Sequence, residues 1–433
     1  MSKKRIAIAR MMASLMLAMA LCIGTALPAF AAENTYASGS EEKPAKAAIT
    51  KILKMPAGTN TPGAKFTFKF KPVSVDDKPD NGSNMPAFKD IDIVFNGSEA
   101  DVTEGGVRSV VRESGNIIDS LAKPWPHAGI YKYTVTELGG TYAIVDGDKE
   151  WMTYSKASYD IEVIVENGEK GLYVAYITAT RKLTEDGEEI KDGEKVNPTP
   201  GGNGVEYKWS QMIFTNTYAK TNGGGEKNPK LTVLEIGKEV TGMGANRDLY
   251  FKFEVAATKP AVGFEGKTPA YIAYVVDAAG NNVTSADNYT PLGTGKNGSY
   301  ILFKSGEALT VGLKHGQKLA FVDLPVGSGF TVNEQAAEFY TAKYTLVLDG
   351  KTPVVQENTD INAALAIPGS SIGEKQNSVA YLNTRLNVTP TGISVDNLPF
   401  VIIIGLAALG LIGYAVAKSR RRARYWAYEQ ENE

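Results

Sequence analysis

Cysteine is nearly missing from this chain: Cys22 is the only one among 433 residues. It lies in an apolar stretch from Met11 to about Leu27, behind Lys3, Lys4, Arg5 and Arg10 and ahead of Ala29-Phe30-Ala31. A basic start, an apolar centre and an Ala-x-Ala site make an export signal, so residues 1–31 are expected to be removed. The mature chain then has no cysteine, which excludes an intramolecular disulfide in an exported protein. Histidine is almost as scarce. His127 and His315 stand far apart in sequence, so no metal site is expected, and "PWPHAG" reads as a loop. Neither charge sign dominates: the net charge is −2, and no nucleic-acid partner is expected. G-x-S-x-G and H-E-x-x-H are absent, and "GTGKNG" (Gly293 to Gly298) lacks the hydroxyl residue of a phosphate loop. "DDKPDNGSN" (Asp76 to Asn84) lacks calcium-loop spacing and reads as a polar turn. No cofactor and no turnover enzyme are expected.

What the chain does have is tyrosine (21), phenylalanine (15) and glycine (44), a mixture of strand formers and turn formers. In "AKFTFKFKPV", Phe66, Phe68 and Phe70 alternate with Thr67, Lys69 and Lys71. A period of two turns one face of a strand to a core and the other to water. The pattern returns in "GIYKYTVTE", "YDIEVIVENG", "GLYVAYITAT" and "QMIFTNTYAK", up to Lys220. A Gly/Asn/Pro stretch, "TNGGGEKNPK", reads as a linker. A second series follows, from "LTVLEIGKEV" to "SVAYLNTRL". No segment keeps a helical period over three turns, so the expected class is all-β, as tandem sandwiches.

The halves repeat four features in one order. These are a lysine-bearing strand (Ile49-Thr50-Lys51; Ile236-Gly237-Lys238), an aromatic alternation (Phe66-Thr67-Phe68; Phe251-Lys252-Phe253), a strand ending in Glu (Glu137; Glu334), and aromatic-x-Asn-Thr (Phe214 to Thr217; Tyr381 to Thr384). Lys, Glu and Asn gathered inside a sandwich have a specific chemistry. Burial lowers the lysine pKa and raises that of the carboxyl. A protonated Glu can donate to the Asn carbonyl and shuttle protons while the amine attacks and ammonia leaves. The product is an amide between side chains, formed once and never turned over.

This ordered set resembles the isopeptide-containing domains of Gram-positive pilins. The first half resembles the streptococcal major-pilin family through "ITKIL", "GIYKYTVTE" and "IFTNTY". The second is similar to a related pilin and adhesin domain through "IGKEVTG", "LPVGSGFTVNE" and "YLNTR". The resemblance implies immunoglobulin-like or collagen-adhesin-B-like sandwiches. It also implies cross-links Lys51–Asn216 with Glu137 and Lys238–Asn383 with Glu334. Glu239, beside Lys238, is a competing charge that could shift the register.

Near the C-terminus, Leu398 to Ala417 is an uncharged run of 20 residues, long enough to span a bilayer as a helix. Lys418, Arg420, Arg421, Arg422 and Arg424 follow and place that end in the cytoplasm. A glycolipid-anchor signal would end apolar, which this one does not. Val388-Thr389-Pro390-Thr391-Gly392 ahead of the run resembles a sortase sorting signal, with Val for Leu and the Pro one position late. The resemblance implies attack by a sortase cysteine at the Thr391 carbonyl and release of Gly392 onward. Implied partners are sortase, identical subunits in a covalent polymer, and peptidoglycan or a basal pilin. Lys208 is the candidate acceptor for the next subunit, with Lys191 and Lys195 as rivals.

The expected organisation is a signal (1–31), a flexible leader (32–46), a first sandwich (47–220), a linker (221–229) and a second sandwich (230–386). Sorting motif and spacer (387–397), membrane segment (398–417) and basic tail (418–433) complete it. The expected role is the shaft subunit of a surface pilus. The alternative is a monomeric wall-anchored adhesin that binds a host ligand.

Overall fold

The structure, a computed structural model, describes residues 35–80, 85–144, 147, 149–201, 209–264, 268–386, 404, 406–412, 414–416 and 418. The export signal, the sorting motif and spacer, Lys208 and the tail beyond Lys418 lie outside the described residues.

The period-two segments are strands. The first domain runs β1 (Tyr36–Ser38), β2 (Thr50–Pro56), β3 (Ala64–Val75), β4 (Lys78–Pro79), β5 (Ile91–Phe95), β6 (Ala100–Glu104), β7 (Val107–Glu113), β8 (Gly129–Leu138), β9 (Glu150–Thr153), β10 (Ser158–Asn167), β11 (Leu172–Leu183), β12 (Glu189–Val196) and β13 (Ile213–Lys220). One sheet has the order β1-β11-β10-β8-β3-β4, with β12 on β11 and β5 on β3. The other has the order β6-β7-β2-β13-β9. Between them lies a core rich in aromatic side chains, among them Phe66, Phe68, Tyr131, Tyr133, Tyr159 and Phe214. Along β3, Phe66 and Phe68 are buried while Lys65, Lys69 and Lys71 are exposed, as the alternation requires.

The second domain runs β14 (Leu234–Thr241), β15 (Phe251–Thr258), β16 (Ala270–Val276), β17 (Gly293–Gly295), β18 (Gly298–Lys304), β19 (Ala308–Leu313), β20 (Lys318–Phe321), β21 (Gly329–Glu334), β22 (Tyr340–Val347), β23 (Val354–Asn358), β24 (Leu365–Ser371) and β25 (Ser378–Arg385). Its sheets have the orders β17-β18-β16-β20-β14-β25-β22-β23 and β19-β15-β21-β24, around a second core. The fold is all-β, as expected.

In each domain the first long strand lies beside the last, in parallel: β2 with β13 and β14 with β25. A parallel pair needs a long crossover. Here the crossover is nearly the whole domain, so residues distant in sequence share one sheet face.

Two expectations change. The stretch 32–46 is not simply a flexible leader, because β1 pairs with β11 in register Tyr36↔Thr178. Gly39 and Ala45 donate to the carbonyls of Ala175 and Val174, at 2.8 Å each. Its composition is that of a solvated segment, but Ala37 and Ala45 are small enough to bury against a sheet margin that would otherwise be unpaired.

The stretch 221–229 is likewise not a free linker. Thr221, Gly223 and Gly224 are buried, and Gly225–Lys227 forms a 3-10 turn. Thr221 Oγ1 donates to the Leu324 carbonyl at 2.7 Å. A Cβ on Gly223 would sit 1.8 Å from the Val322 carbonyl oxygen, so close packing requires glycine there.

Near the C-terminus, residues 404, 406–412, 414–416 and 418 are helical, but no helix among the described residues is long and apolar enough to cross a membrane.

Candidate functional site: two buried Lys–Glu–Asn triads

The sequence-predicted residues come together in both domains. In the first, β2 and β13 set Lys51 opposite Phe214 and Leu53 opposite Asn216. The lysine and the asparagine are therefore diagonal neighbours on one sheet face, within reach of long side chains. Glu137 comes from β8, in the facing sheet, where it pairs with Phe68. The second domain repeats this arrangement. Lys238 stands opposite Tyr381, Val240 opposite Asn383, and Glu334 on β21 pairs with Phe253. Glu239, the competing charge, points outward and is 58% exposed, while Lys238 is buried, so the lysine keeps the inward register.

The contacts in the first triad are short. Lys51 Nζ donates to Glu137 Oε2 at 2.7 Å, and both side chains are fully buried. Asn216 Nδ2 donates to Glu137 Oε1, also at 2.7 Å. One carboxyl thus touches both the lysine nitrogen and the asparagine amide nitrogen. The asparagine carbonyl faces elsewhere: Oδ1 accepts the backbone N–H of Ser155 at 2.7 Å. A backbone N–H can only donate, which fixes which end of the amide is oxygen. The hydrogen bond expected from Glu137 to the Asn216 carbonyl is therefore not the one made. The leaving amide nitrogen faces the carboxyl, and the main chain holds the oxygen.

In the second triad, Lys238 Nζ donates to Glu334 Oε1 at 2.6 Å. Glu334 Oε2 and Asn383 Oδ1 are each buried with no hydrogen-bond partner among the described residues.

Apolar walls tune both sites. Lys51 Nζ lies 4.7 Å from the ring centre of Phe66, and Lys238 Nζ lies 4.0 Å from that of Phe251. Phe214 packs on Phe68 at 5.0 Å and Tyr381 on Phe253 at 5.2 Å, closing each triad from the other side. Burial brings the Lys51 and Lys238 ammonium groups down to about 8, against the pull of their glutamates. Burial also pushes the Glu137 and Glu334 carboxyls up, opposed by the lysines and asparagines. Both shifts favour moving a proton from Lys to Glu, which turns a buried ion pair into a neutral amine and a neutral acid. That pair can attack an amide and protonate its leaving nitrogen. Beside Glu137 lies an open cleft of about 550 Å³, lined by Met152, Tyr154, Ser155 and Lys156.

Residues 47–219 match the family model of the Spy0128-like isopeptide-containing domain, and that span includes Lys51, Glu137 and Asn216. Residues 232–367 match a domain of unknown function, DUF7601, which takes in Lys238 and Glu334 and stops short of Asn383. Among solved structures, the chain is similar to a single-substitution mutant of the major pilin from Streptococcus pyogenes. Identity is 18%, covering 80% of this chain and 100% of that one, with a TM-score of 0.31. It is also similar to the T3.2 major pilin of the same species (18%, covering 79% and 98%, TM-score 0.29). A pilus-presented adhesin, Spy0125 (Cpa), is 12% identical, covering 79% and 100%, with a TM-score of 0.24. At these values the structural likeness carries no argument of its own. No curated protein matches the chain.

Ser155 of the first domain carries no signal in the sequence, because its contact with Asn216 is made by its backbone. Lys191 and Lys195, the rival acceptor lysines, are exposed on β12.

Proposed function

We propose that this chain is a subunit of a Gram-positive surface pilus, cross-linked within each domain by a Lys–Asn isopeptide bond and joined to its neighbours by sortase. The observation that carries this reading is the first triad, where one buried carboxyl lies 2.7 Å from both the Lys51 amine and the Asn216 amide nitrogen. Lys51 Nζ attacks Asn216 Cγ and forms the new C–N bond. The proton lost from Nζ passes through Glu137 to Nδ2, the Cγ–Nδ2 bond breaks, and ammonia leaves. Lys238, Glu334 and Asn383 do the same in the second domain. The shaft role and the sorting step rest on Val388 to Gly392 and the apolar run behind them, with Lys208 as acceptor for the next subunit.

Intact mass of residues 32–391 tests the cross-links. The expected deficit is two ammonia equivalents, with one restored by Glu137→Ala and one by Glu334→Ala. A mass equal to that of the unmodified sequence overturns the reading. Cell-wall extracts test the shaft: a ladder of high-mass species is expected, and one discrete band favours the monomeric adhesin.

A further inference from the structure

The two triads differ at the atom where charge develops. When Lys51 Nζ adds to Asn216 Cγ, the carbonyl oxygen Oδ1 takes up the electron pair and becomes an oxyanion. The Ser155 N–H already points at it, at 2.7 Å. Asn383 Oδ1, its counterpart, has no donor among the described residues.

The segment that supplies this N–H is held in place. Ser155 is buried between β9 and β10, and its Oγ hydrogen-bonds Glu185 Oε2. The same carboxylate oxygen accepts the N–H of Thr215, the residue before Asn216, at 3.1 Å. The Glu185 carbonyl accepts the N–H of Lys156 at 2.9 Å. Arg181 braces the other carboxylate oxygen at 3.4 Å. Glu185 therefore ties the strand carrying the amide to the segment carrying its donor, fixing the distance between them.

We infer that the Ser155 backbone N–H is the oxyanion donor of the first domain, that Glu185 positions it, and that the first domain consequently closes its cross-link faster than the second. The inference rests on the isopeptide reading above and deepens it. The reaction stays balanced as written: amine plus primary amide gives secondary amide plus ammonia. The donor binds the oxyanion and gives up no proton. Preorganised donors of this kind are worth about 10²–10³ in rate.

The test is a pulse-chase translation of the full mature ectodomain. Peptide mass mapping follows the Lys51–Asn216 and Lys238–Asn383 bonds separately at several pH values. In the wild type the first bond is expected to form faster. Ser155→Ala keeps the N–H but loses the Oγ tie to Glu185, and is expected to slow the first bond no more than Glu185→Ala does. Ser155→Pro removes the N–H and is expected to slow the first bond about 10²-fold or more, with its pH optimum unmoved and the second bond unchanged. Should Ser155→Pro fail to fold, Glu185→Ala serves instead. It is expected to slow the first bond roughly tenfold, with Glu185→Gln recovering most of the loss.

First-bond closure in Ser155→Pro or Glu185→Ala at the wild-type rate overturns the inference. Equal slowing of both bonds also overturns it, since that marks a general folding defect. A wild type that forms neither bond fails the isopeptide reading itself, so the two failures are distinguishable.

Discussion

Lys51 and Glu137 share one proton over 2.7 Å in surroundings that favour the neutral form of each. Such a pair titrates as a unit. With one proton between them, the amine can be free while the acid is protonated. Below the raised range of Glu137 a second proton is taken up, the lysine stays an ammonium, and attack stops. Above about 8, the value to which Lys51 is lowered, the pair loses its proton and no acid remains for the departing nitrogen. The cross-linking rate should therefore be bell-shaped in pH, falling on the alkaline side near 8. Translation chases between mildly acidic and alkaline pH, scored by mass, check this, and a rate that keeps climbing above that point contradicts it. Glu137→Gln keeps the shape of the side chain but cannot shuttle a proton. It should slow closure by about 10²-fold or more.

At the scale of the element, the cross-link is made possible by the parallel pairing of β2 with β13. The bond closes a loop that is almost the whole domain. For a covalent loop of ~100 residues the chain-entropy model gives about 5 kcal/mol. For a domain of this size that corresponds to roughly 10–20 °C in Tm. Asn216→Ala should lower the Tm of the first domain by about that much and leave the second unchanged, as read by scanning calorimetry. A shift of only one or two degrees would mean the bond is absent in the wild type. Strand existence was legible at this scale: "AKFTFKFKPV" and "GIYKYTVTE" lie in β3 and β8 because alternation is a local property. β7 was not singled out, although it flanks β2. Val107 to Glu113 places two valines together between arginines, without the regular alternation seen in β3.

At the scale of the whole chain, each proposed bond would tie the first long strand of a domain to its last. Between the two proposed loops lies the stretch from Asn216 to Lys238. Side chains brace it: Glu374 bonds Lys220 Nζ at 2.8 Å and the Asn60 backbone and side-chain nitrogens at 2.6 Å each. Trp151 meets Phe264 edge-on at 5.3 Å, and Val326 donates to the Lys220 carbonyl at 2.8 Å. Glu374→Ala removes the charged centre of this joint, a loss of about 1–3 kcal/mol in local opening. Tryptic cleavage after the exposed Lys227 and Lys230 should rise about tenfold, with both cross-links intact by mass. Unchanged cleavage would mean the apolar contacts alone hold the joint.

The sequence by itself determined the strands, the doubled order of Lys, Glu and Asn, and the exclusion of disulfides. These follow from residue type and local period, which need no knowledge of what lies across the sheet. Tertiary structure decided the rest: the first and last strands side by side, the diagonal offset that sets Asn216 beside Lys51, the pairing of residues 36–38 with β11, and the burial of Thr221, Gly223 and Gly224. It also decided which atom faces the asparagine oxygen. That atom is a main-chain nitrogen of Ser155, and every residue but proline has one, so only its placement by Glu185 distinguishes it.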